Sequence, residues 1–247
     1  MAKFKPRRAR LSALEAAFAP RIRTALLRDA EAAVSAAALG ASPAVAAALV
    51  RPRFLIAVLE ELYVRAGIAE AQAEYKRLTA TYPQKRLAPT ALVADWRARL
   101  RRFITTEGAT SLRAITDATR ALVRRVLTQA VTEGLGSAEA ARRLRSEVAT
   151  LSVQRSIGIA RTELVSAGNF GSLLGAQSTG LRLLKVWLAT TPSARTRPSH
   201  VAANGQAVAL DGAFAVGGFA ARYPGDPLLP AAERVRCRCA ITYRPAS

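Results

Sequence analysis

Residues 160–239 decide the fold, and they contain ARTE (160–163), KVW (185–187), RPSH (197–200), NG (204–205), YPGD (223–226) and CRC (237–239). Trp187 lies in a run with the alternating pattern of a β-strand, and NG and YPGD are strong turn sequences. A few short strands need a helix that covers one face of their sheet. The stretch therefore predicts a small C-terminal α+β domain with a short antiparallel sheet.

The chain before this stretch is rich in alanine and arginine, and its apolar residues recur at helical spacing, as at Trp96 and Leu100. Alanine packs helices closely and contributes little transfer free energy per side chain. We therefore predict an α+β protein in three parts. These parts are a basic tail at 1–10, an extended Ala/Arg-rich helical region at 11–150 and the compact domain at 151–247.

Proline, glycine and serine residues suggest where individual elements begin and end. Pro20 should kink or split the first helix, because proline cannot donate the helical hydrogen bond. The glycine turn at 134–136 should end one helix, with a short helix to about residue 148 after it and a long one over 152–174. The last strand should cover 235–243 and carry both cysteines.

The chain has 37 Lys and Arg residues against 17 Asp and Glu, which gives a formal net charge of +20. Such an excess favours a polyanionic partner, most plausibly double-stranded DNA, through phosphate contacts and counterion release. The alternatives are a solvated helix face and a disordered tail. The candidate contact residues are Lys3, Lys5, Arg7, Arg8, Arg10, Arg97, Arg101, Arg102, Arg124 and Arg125.

Two cysteines close together give no disulfide framework, so we expect a reducing compartment. The basic start is not followed by a clean apolar block, so we expect no signal peptide. Residues 32–50 come nearest to a membrane span, but Gly40 and Pro43 break the run and alanine contributes little to insertion. We therefore predict two alanine-rich helices there and no membrane contact.

Cys237 and Cys239 are two residues apart, so on an extended strand both sulfurs would lie on the same side. They could bind one metal together with His200, and a His/Cys/Cys set suits zinc. The carboxylates that could add a fourth ligand are Asp211, Asp226 and Glu233. Two alternatives stay open: a pair of buried thiols in the core, and a disulfide that closes a strained ring.

The order of these motifs resembles the Mu F-like phage head morphogenesis family, whose members are also called minor head proteins. The resemblance covers roughly the last third of the chain and reaches weakly back to about residue 134. The matching positions include Arg161, Glu163, Trp187, Arg197, Ser199, His200, Gly205, Phe214, Tyr223, Asp226, Cys237 and Cys239. The chain departs from the family pattern at 191–194, where relatives often have an aspartate, and at Asn204 and Arg236.

The resemblance implies a non-enzymatic, low-copy component of a tailed-phage head. It would bind the portal protein and the capsid or scaffolding protein, and it would contact packaged double-stranded DNA. Its expected location is the virion, in the capsid interior or at the portal vertex, and the host cytoplasm before assembly. The residues then expected to be structural are Arg161, Glu163, Trp187, Arg197, Gly205, Tyr223 and Asp226.

Glu163 should, in this interpretation, anchor Arg195, Arg197 or Arg238 rather than act as a catalytic base. The alternative functions are a metal-dependent nuclease or hydrolase that uses the His/Cys/Cys set, and a general nucleic-acid-binding protein. No Ser-His-Asp, phosphate-loop or paired-carboxylate pattern stands out in the sequence. We therefore assign no catalytic residue, and zinc is the one cofactor that the sequence suggests.

Overall fold

The computed structural model describes residues 4–82, 88–190 and 196–246, with side chains from residue 7 onward. The N-terminal part is helical and consists of α1 (Phe4–Ala38), α2 (Pro43–Ala48), α3 (Arg53–Thr81), α4 (Pro89–Thr105), α5 (Gly108–Thr132) and α6 (Ser137–Gln177). The C-terminal part contains β1 (Leu183–Leu188), α7 (Pro198–Ala203), β2 (Ala207–Ala209), β3 (Phe214–Val216), β4 (Phe219–Ala221), α8 (Ala231–Arg234) and β5 (Ala240–Pro245). The predicted α+β fold class is confirmed.

The central strand of the small sheet is β1, which pairs antiparallel with β2 on one side and with β5 on the other. Burial alternates along β1, so that Leu183, Lys185 and Trp187 face the interior as the alternating sequence predicts. One face of the sheet packs against α6, where the hydroxyl groups of Ser172 and Tyr243 lie 3.3 Å apart. Strands β3 and β4 form a separate antiparallel hairpin.

Helix α6 is the central element of the molecule, and nearly every residue from Ala160 to Ala176 is buried. One core cluster runs from Phe18 on α1 through Tyr63 on α3 to Trp187 in the sheet. The helices and the sheet therefore share one hydrophobic core. The domain boundary predicted between residues 150 and 151 falls inside α6 and does not separate two packing units.

The first residues of the chain differ from the predicted basic tail. Phe4 begins α1, so residues 4–10 are helical, while residues 1–3 lie outside the described ranges. Arg7 and Arg10 both contact the buried carboxylate of Glu70, at 3.1 and 2.9 Å. Arg7 also donates to Asn169 Oδ1 on α6 at 2.7 Å. These contacts stabilise the start of α1 against α3 and α6.

Pro20 does not split the first helix, because α1 continues through it from Phe4 to Ala38. A proline inside a helix removes one backbone hydrogen bond. Phe18 and Ile22, on either side of it, are both completely buried. Their packing holds the helix in place, so tertiary contacts override the local cost of the proline.

The break predicted near residues 148–152 is also absent, because α6 runs without interruption from Ser137 to Gln177. Ser152 donates to the Val148 carbonyl at 2.6 Å and so satisfies its hydroxyl within the helix. Both residues are buried against neighbouring elements. The preceding glycine turn is where we expected it, with Gly134 at φ +71° just after α5.

The last strand begins later than predicted, at Ala240, so Cys237 and Cys239 lie in the loop that joins α8 to β5. Arg236 has a φ of 59°, a left-handed conformation that cannot continue a strand. The prediction that both sulfurs lie on the same side of an extended strand was therefore wrong.

Among the described residues, no helix is both long enough and apolar enough to cross a membrane.

Candidate functional site

Glu163 on α6 is 1% exposed and accepts hydrogen bonds from three side chains. Tyr63 donates its hydroxyl to Oε2 at 2.8 Å, and Ser111 donates to Oε1 at 2.6 Å. Arg234 donates from one guanidinium nitrogen to both oxygens, at 2.8 Å each. Burial and the nearby Glu163 charge raise the pKa of Tyr63 well above its ordinary value, so this hydroxyl stays protonated as a donor.

The Glu163–Arg234 ion pair joins the helical part to the sheet part. Arg234 also donates to Ser111 Oγ at 2.6 Å and to the carbonyl of Gly225 at 3.3 Å. Although burial opposes it, the charge of Glu163 raises the pKa of Arg234. The cluster thus ties α3, α5 and α6 to α8 and to the YPGD turn. With its carboxylate enclosed in this way, Glu163 is better suited to an ion pair than to catalytic proton transfer.

The predicted partners of Glu163 were wrong, since its arginine is Arg234. Arg197 instead donates to the Val235 carbonyl at 2.6 Å, and Arg238 is exposed. Arg195 lies outside the described residues. Nothing in the local sequence distinguishes Arg234 from the many other basic residues, because its burial arises only when α8 packs against α6.

A second buried carboxylate, Asp226 of the YPGD turn, is fully enclosed. Arg222 donates to it from Nε and from a terminal nitrogen, both at 2.8 Å, and from its backbone N–H at 2.9 Å. The hydrogen bond to Asp226 raises the pKa of Arg222. Arg222 also pairs with Glu107, just before α5. The turn is therefore anchored to the helical part at a second point.

The remaining motif residues also make contacts within the chain. Arg161 pairs with Glu15 on α1 at 2.5 Å. Gly205 has a φ of 85° and donates to the Trp187 carbonyl at 2.9 Å, which closes the turn after α7. Tyr223 is buried and packs on Phe170 with ring centroids 5.8 Å apart. These contacts suit structural roles, and a catalytic role for these residues has no support in the geometry.

Lys185 is an interior lysine that sequence analysis did not single out. It is completely buried on β1, and its ammonium group donates to the Leu210 carbonyl at 2.9 Å. Burial lowers its pKa to about 8, and the charge of Arg222 acts in the same direction while Asp211 and Asp226 oppose it. The alternating pattern of β1 does place position 185 on the interior face, so the pattern could have revealed it.

His200, Cys237 and Cys239 come together in the interior, and their ligand atoms all lie within 4.8 Å of one another. The Nδ1 atom of His200 is 3.3 Å from Cys239 Sγ and 3.6 Å from Cys237 Sγ. All three residues are at most 4% exposed. The structure thus brings together the three residues that the sequence analysis grouped, although α7, which carries His200, was not predicted.

The other ring nitrogen of His200 faces a carboxylate. Its Nε2 is 3.0 Å from Oε2 of Glu233, an ion-pair distance at which the two atoms are not aligned as a hydrogen bond. The same oxygen accepts a hydrogen bond from Ser199 Oγ at 2.7 Å. Trp187 packs edge-on against the imidazole ring, with centroids 5.6 Å apart. Glu233 was considered as a metal ligand, but it contacts the histidine instead.

The two thiols differ in their proton affinity. A hydrogen bond with Cys237 lowers the pKa of Cys239 to about 5, and the nearby His200 adds to the effect against the opposing influence of burial. The same contact, together with burial, raises the pKa of Cys237. The backbone N–H of Cys239 also points to Cys237 Sγ at 3.4 Å.

The proposed DNA-contact residues fall into two groups. Arg7 and Arg10 bind Glu70 inside the molecule and Arg101 pairs with Glu60 at 2.9 Å, so these three already have acidic partners. In the described part of the chain, the exposed candidates without an acidic partner are Arg8, Arg97, Arg102, Arg124 and Arg125. Lys3 and the side chain of Lys5 lie outside what the structure describes.

A groove of about 300 Å³ lies between α1 and α6 and is lined by Ser12, Glu15, Ala16, Ala19, Ile157, Arg161 and Arg238. None of its lining residues belongs to the His/Cys/Cys cluster. The cluster is enclosed by protein, whereas an enzyme site needs a cleft through which a substrate reaches the reacting groups. The arrangement therefore favours a structural site over a hydrolytic one.

The fold and this interior define a basic, largely helical α+β protein whose C-terminal motifs are joined by buried ion pairs. A family profile described as Phage Mu protein F like protein matches residues 121–242. Over this region, which runs from the second half of α5 into β5, the resemblance to the Mu F-like family of phage head morphogenesis proteins is confirmed. No curated protein and no solved structure matches the chain significantly.

Proposed function

We propose that this chain is a minor head protein: a low-copy, non-enzymatic component that binds the portal protein inside the assembling phage head and contacts packaged DNA. The observation that carries the proposal is the family match over residues 121–242, which includes Glu163, its partner Arg234 and most of the sheet. In this role the motifs shared with the family maintain the fold, and the charged helices provide the contact surface.

The charge distribution supports the DNA contact. The chain carries a formal net charge of +20, and α4 and α5 expose arginines that have no acidic partner among the described residues. On α4 these include Arg97 and Arg102, and on α5 they include Arg113, Arg124 and Arg125. Their opposite sides, such as Trp96 and Val123, are completely buried. Free guanidinium groups on rigid helices suit phosphate contacts that do not depend on base sequence.

The enzymatic alternative is weaker on two counts. The His/Cys/Cys set that a nuclease would use is enclosed, and the carboxylate closest to it, Glu233, is already engaged by His200 and Ser199. Glu163 is held by Arg234. A hydrolase would need at least one of these groups to face a substrate. The portal and capsid contacts rest on the family assignment alone.

The function is tested by the location of the chain in purified particles. We expect a small number of copies per particle, and co-purification with isolated portal rings after nuclease treatment, since portal binding should not require DNA. Quantitative mass spectrometry of procapsids and of portal rings measures both. Absence from particles would overturn the proposal, and recovery only in nuclease-sensitive material would indicate a general nucleic-acid-binding protein.

DNA contact predicts a specific salt dependence. Replacing Arg97, Arg102, Arg124 and Arg125 by glutamine should reduce the steepness of log affinity against log salt by about 3.6, because each of the four lost phosphate contacts contributes about 0.9. Fluorescence anisotropy with a short duplex over a salt series measures the slope. Binding should remain insensitive to the base sequence of the duplex.

The matched control removes the same charge from arginines that already have acidic partners. Arg21, Arg142, Arg143 and Arg145 are paired with Glu61, Glu139, Glu133 and Glu31 respectively. Changing these four to glutamine should leave the slope much closer to that of the unchanged protein. Equal losses in both variants would mean that net charge, and not the free arginines, accounts for binding.

A further inference from the structure

The strongest unexplained feature is the convergence of one imidazole and two thiols in the interior, which the head-protein function does not require. In a tetrahedral zinc site, bond lengths near 2.3 Å to sulfur and 2.05 Å to nitrogen place neighbouring N and S atoms about 3.5 Å apart. The two distances from His200 Nδ1 are 3.3 Å and 3.6 Å. The three donors are therefore spaced as zinc ligands would be.

The surroundings of the histidine point in the same direction. A histidine that binds metal through one nitrogen usually directs its other N–H at a carboxylate, which orients the ring and increases its basicity as a ligand. Here Nδ1 faces the sulfurs, and Nε2 faces Glu233 at 3.0 Å. Ser199 in turn donates to that carboxylate at 2.7 Å. The negative charge of Glu233 beside Nε2 thus favours a proton on that nitrogen, which leaves Nδ1 free to bind.

The backbone near the cysteines is shaped to bring both sulfurs to the histidine. Arg236 adopts the left-handed region at φ 59°, and its N–H is held by Thr162 Oγ1 at 2.9 Å. Cys239 directs its N–H at Cys237 Sγ at 3.4 Å, a contact that stabilises a thiolate ligand. Without this turn the chain would continue as a strand and separate the sulfurs from His200.

We propose that the chain binds one Zn²⁺ through His200 Nδ1, Cys237 Sγ and Cys239 Sγ, with Glu233 as the carboxylate that faces Nε2 and orients the histidine. One coordination position remains for a small ligand such as water. The metal cross-links α7 to the loop between α8 and β5 and so fixes both against the sheet. The proposal concerns the stability of the sheet part and does not depend on the head-protein function.

Metal content is the first test. Protein purified without chelator should contain about one zinc per chain, and Cys239→Ser should contain less than about a tenth of that. Denatured protein treated with chelator should show two free thiols. Stoichiometric zinc in Cys239→Ser, or wild-type protein that stays metal-free after refolding with equimolar zinc, would overturn the proposal. A disulfide in place of the thiols would do so as well.

Cobalt provides a readout that does not depend on a stable ligand variant. Wild-type protein refolded with Co²⁺ should show the visible bands of tetrahedral cobalt and a near-ultraviolet thiolate charge-transfer band. Cys237→Ser should lose part of the charge-transfer intensity, and Glu233→Gln should keep the spectrum while binding roughly 10–100-fold more weakly. A wild-type spectrum without the thiolate band would show that the cysteines are not ligands.

Discussion

Replacing Glu163 by alanine should lower the free energy of unfolding by about 3–5 kcal/mol. The substitution leaves Arg234 as an uncompensated buried charge and removes the acceptor used by Tyr63 and Ser111. A buried charge without a partner destabilises the folded state by more than the intact ion pair stabilises it. The reason is that the lost hydration of the charge is no longer offset by the attraction of its partner. Urea unfolding followed by circular dichroism measures the change.

An exposed ion pair serves as the control. Glu61 pairs with Arg21, and both side chains are more than 40% exposed. Glu61→Ala should cost less than about 1 kcal/mol, since solvent screens such a pair. The double variant Glu163→Ala/Arg234→Ala should be more stable than the sum of the single changes implies, with a coupling of at least about 1 kcal/mol. Additive losses would show that the two residues do not act as a pair.

The second large effect should come from adding a single methyl group at Gly171. Helices α3 and α6 approach closely enough that a Cβ at this position would lie 2.1 Å from the Gly67 carbonyl oxygen and 2.6 Å from its Cα. Both are backbone atoms, so no side-chain rotation relieves the overlap and the helices must move apart. We expect Gly171→Ala to cost about 3 kcal/mol or more, at the upper end of overpacking effects.

Gly158, on the same helix, is the matched control. A Cβ there would meet only the flexible side chain of Arg236, at 3.4 Å. Gly158→Ala should therefore stabilise the protein by up to about 1 kcal/mol through helix propensity. Thermal unfolding of the two variants compares them directly. If Gly171→Ala were as stable as Gly158→Ala, the close approach of α3 and α6 would be refuted.

The sequence was most informative where a local pattern determines burial. The spacing of Trp96 and Leu100 identified the buried face of α4, and the pattern around Trp187 identified the strand β1. The three residues His200, Cys237 and Cys239 were grouped by their chemistry alone. In each case the information lies within a few neighbouring residues or in a rare residue type.

The sequence was least informative where contacts between distant segments determine the pairing and burial of a residue. The acidic residue next to Arg234 in α8 is Glu233, but Arg234 pairs with Glu163, which lies 71 positions earlier in the chain. This pairing depends on how α8 packs in the folded protein. Helix α6 is likewise continuous through Ser152, which is buried. The local sequence around Ser152 does not indicate that burial. Arg7 appeared to belong to a solvated tail because Glu70 and Asn169 are far from it in sequence.

The unbroken course of α6 has a mechanical consequence. Leu144 and Val148 in its first half belong to one core cluster, and Leu164 and Leu173 in its second half belong to another. The 23 residues before Ala160 extend about 35 Å at 1.5 Å each. A hinge within that span would absorb a displacement, but a continuous helix transmits it. Moving one core cluster relative to the other therefore requires α6 itself to bend, because no loop along the helix separates the two clusters.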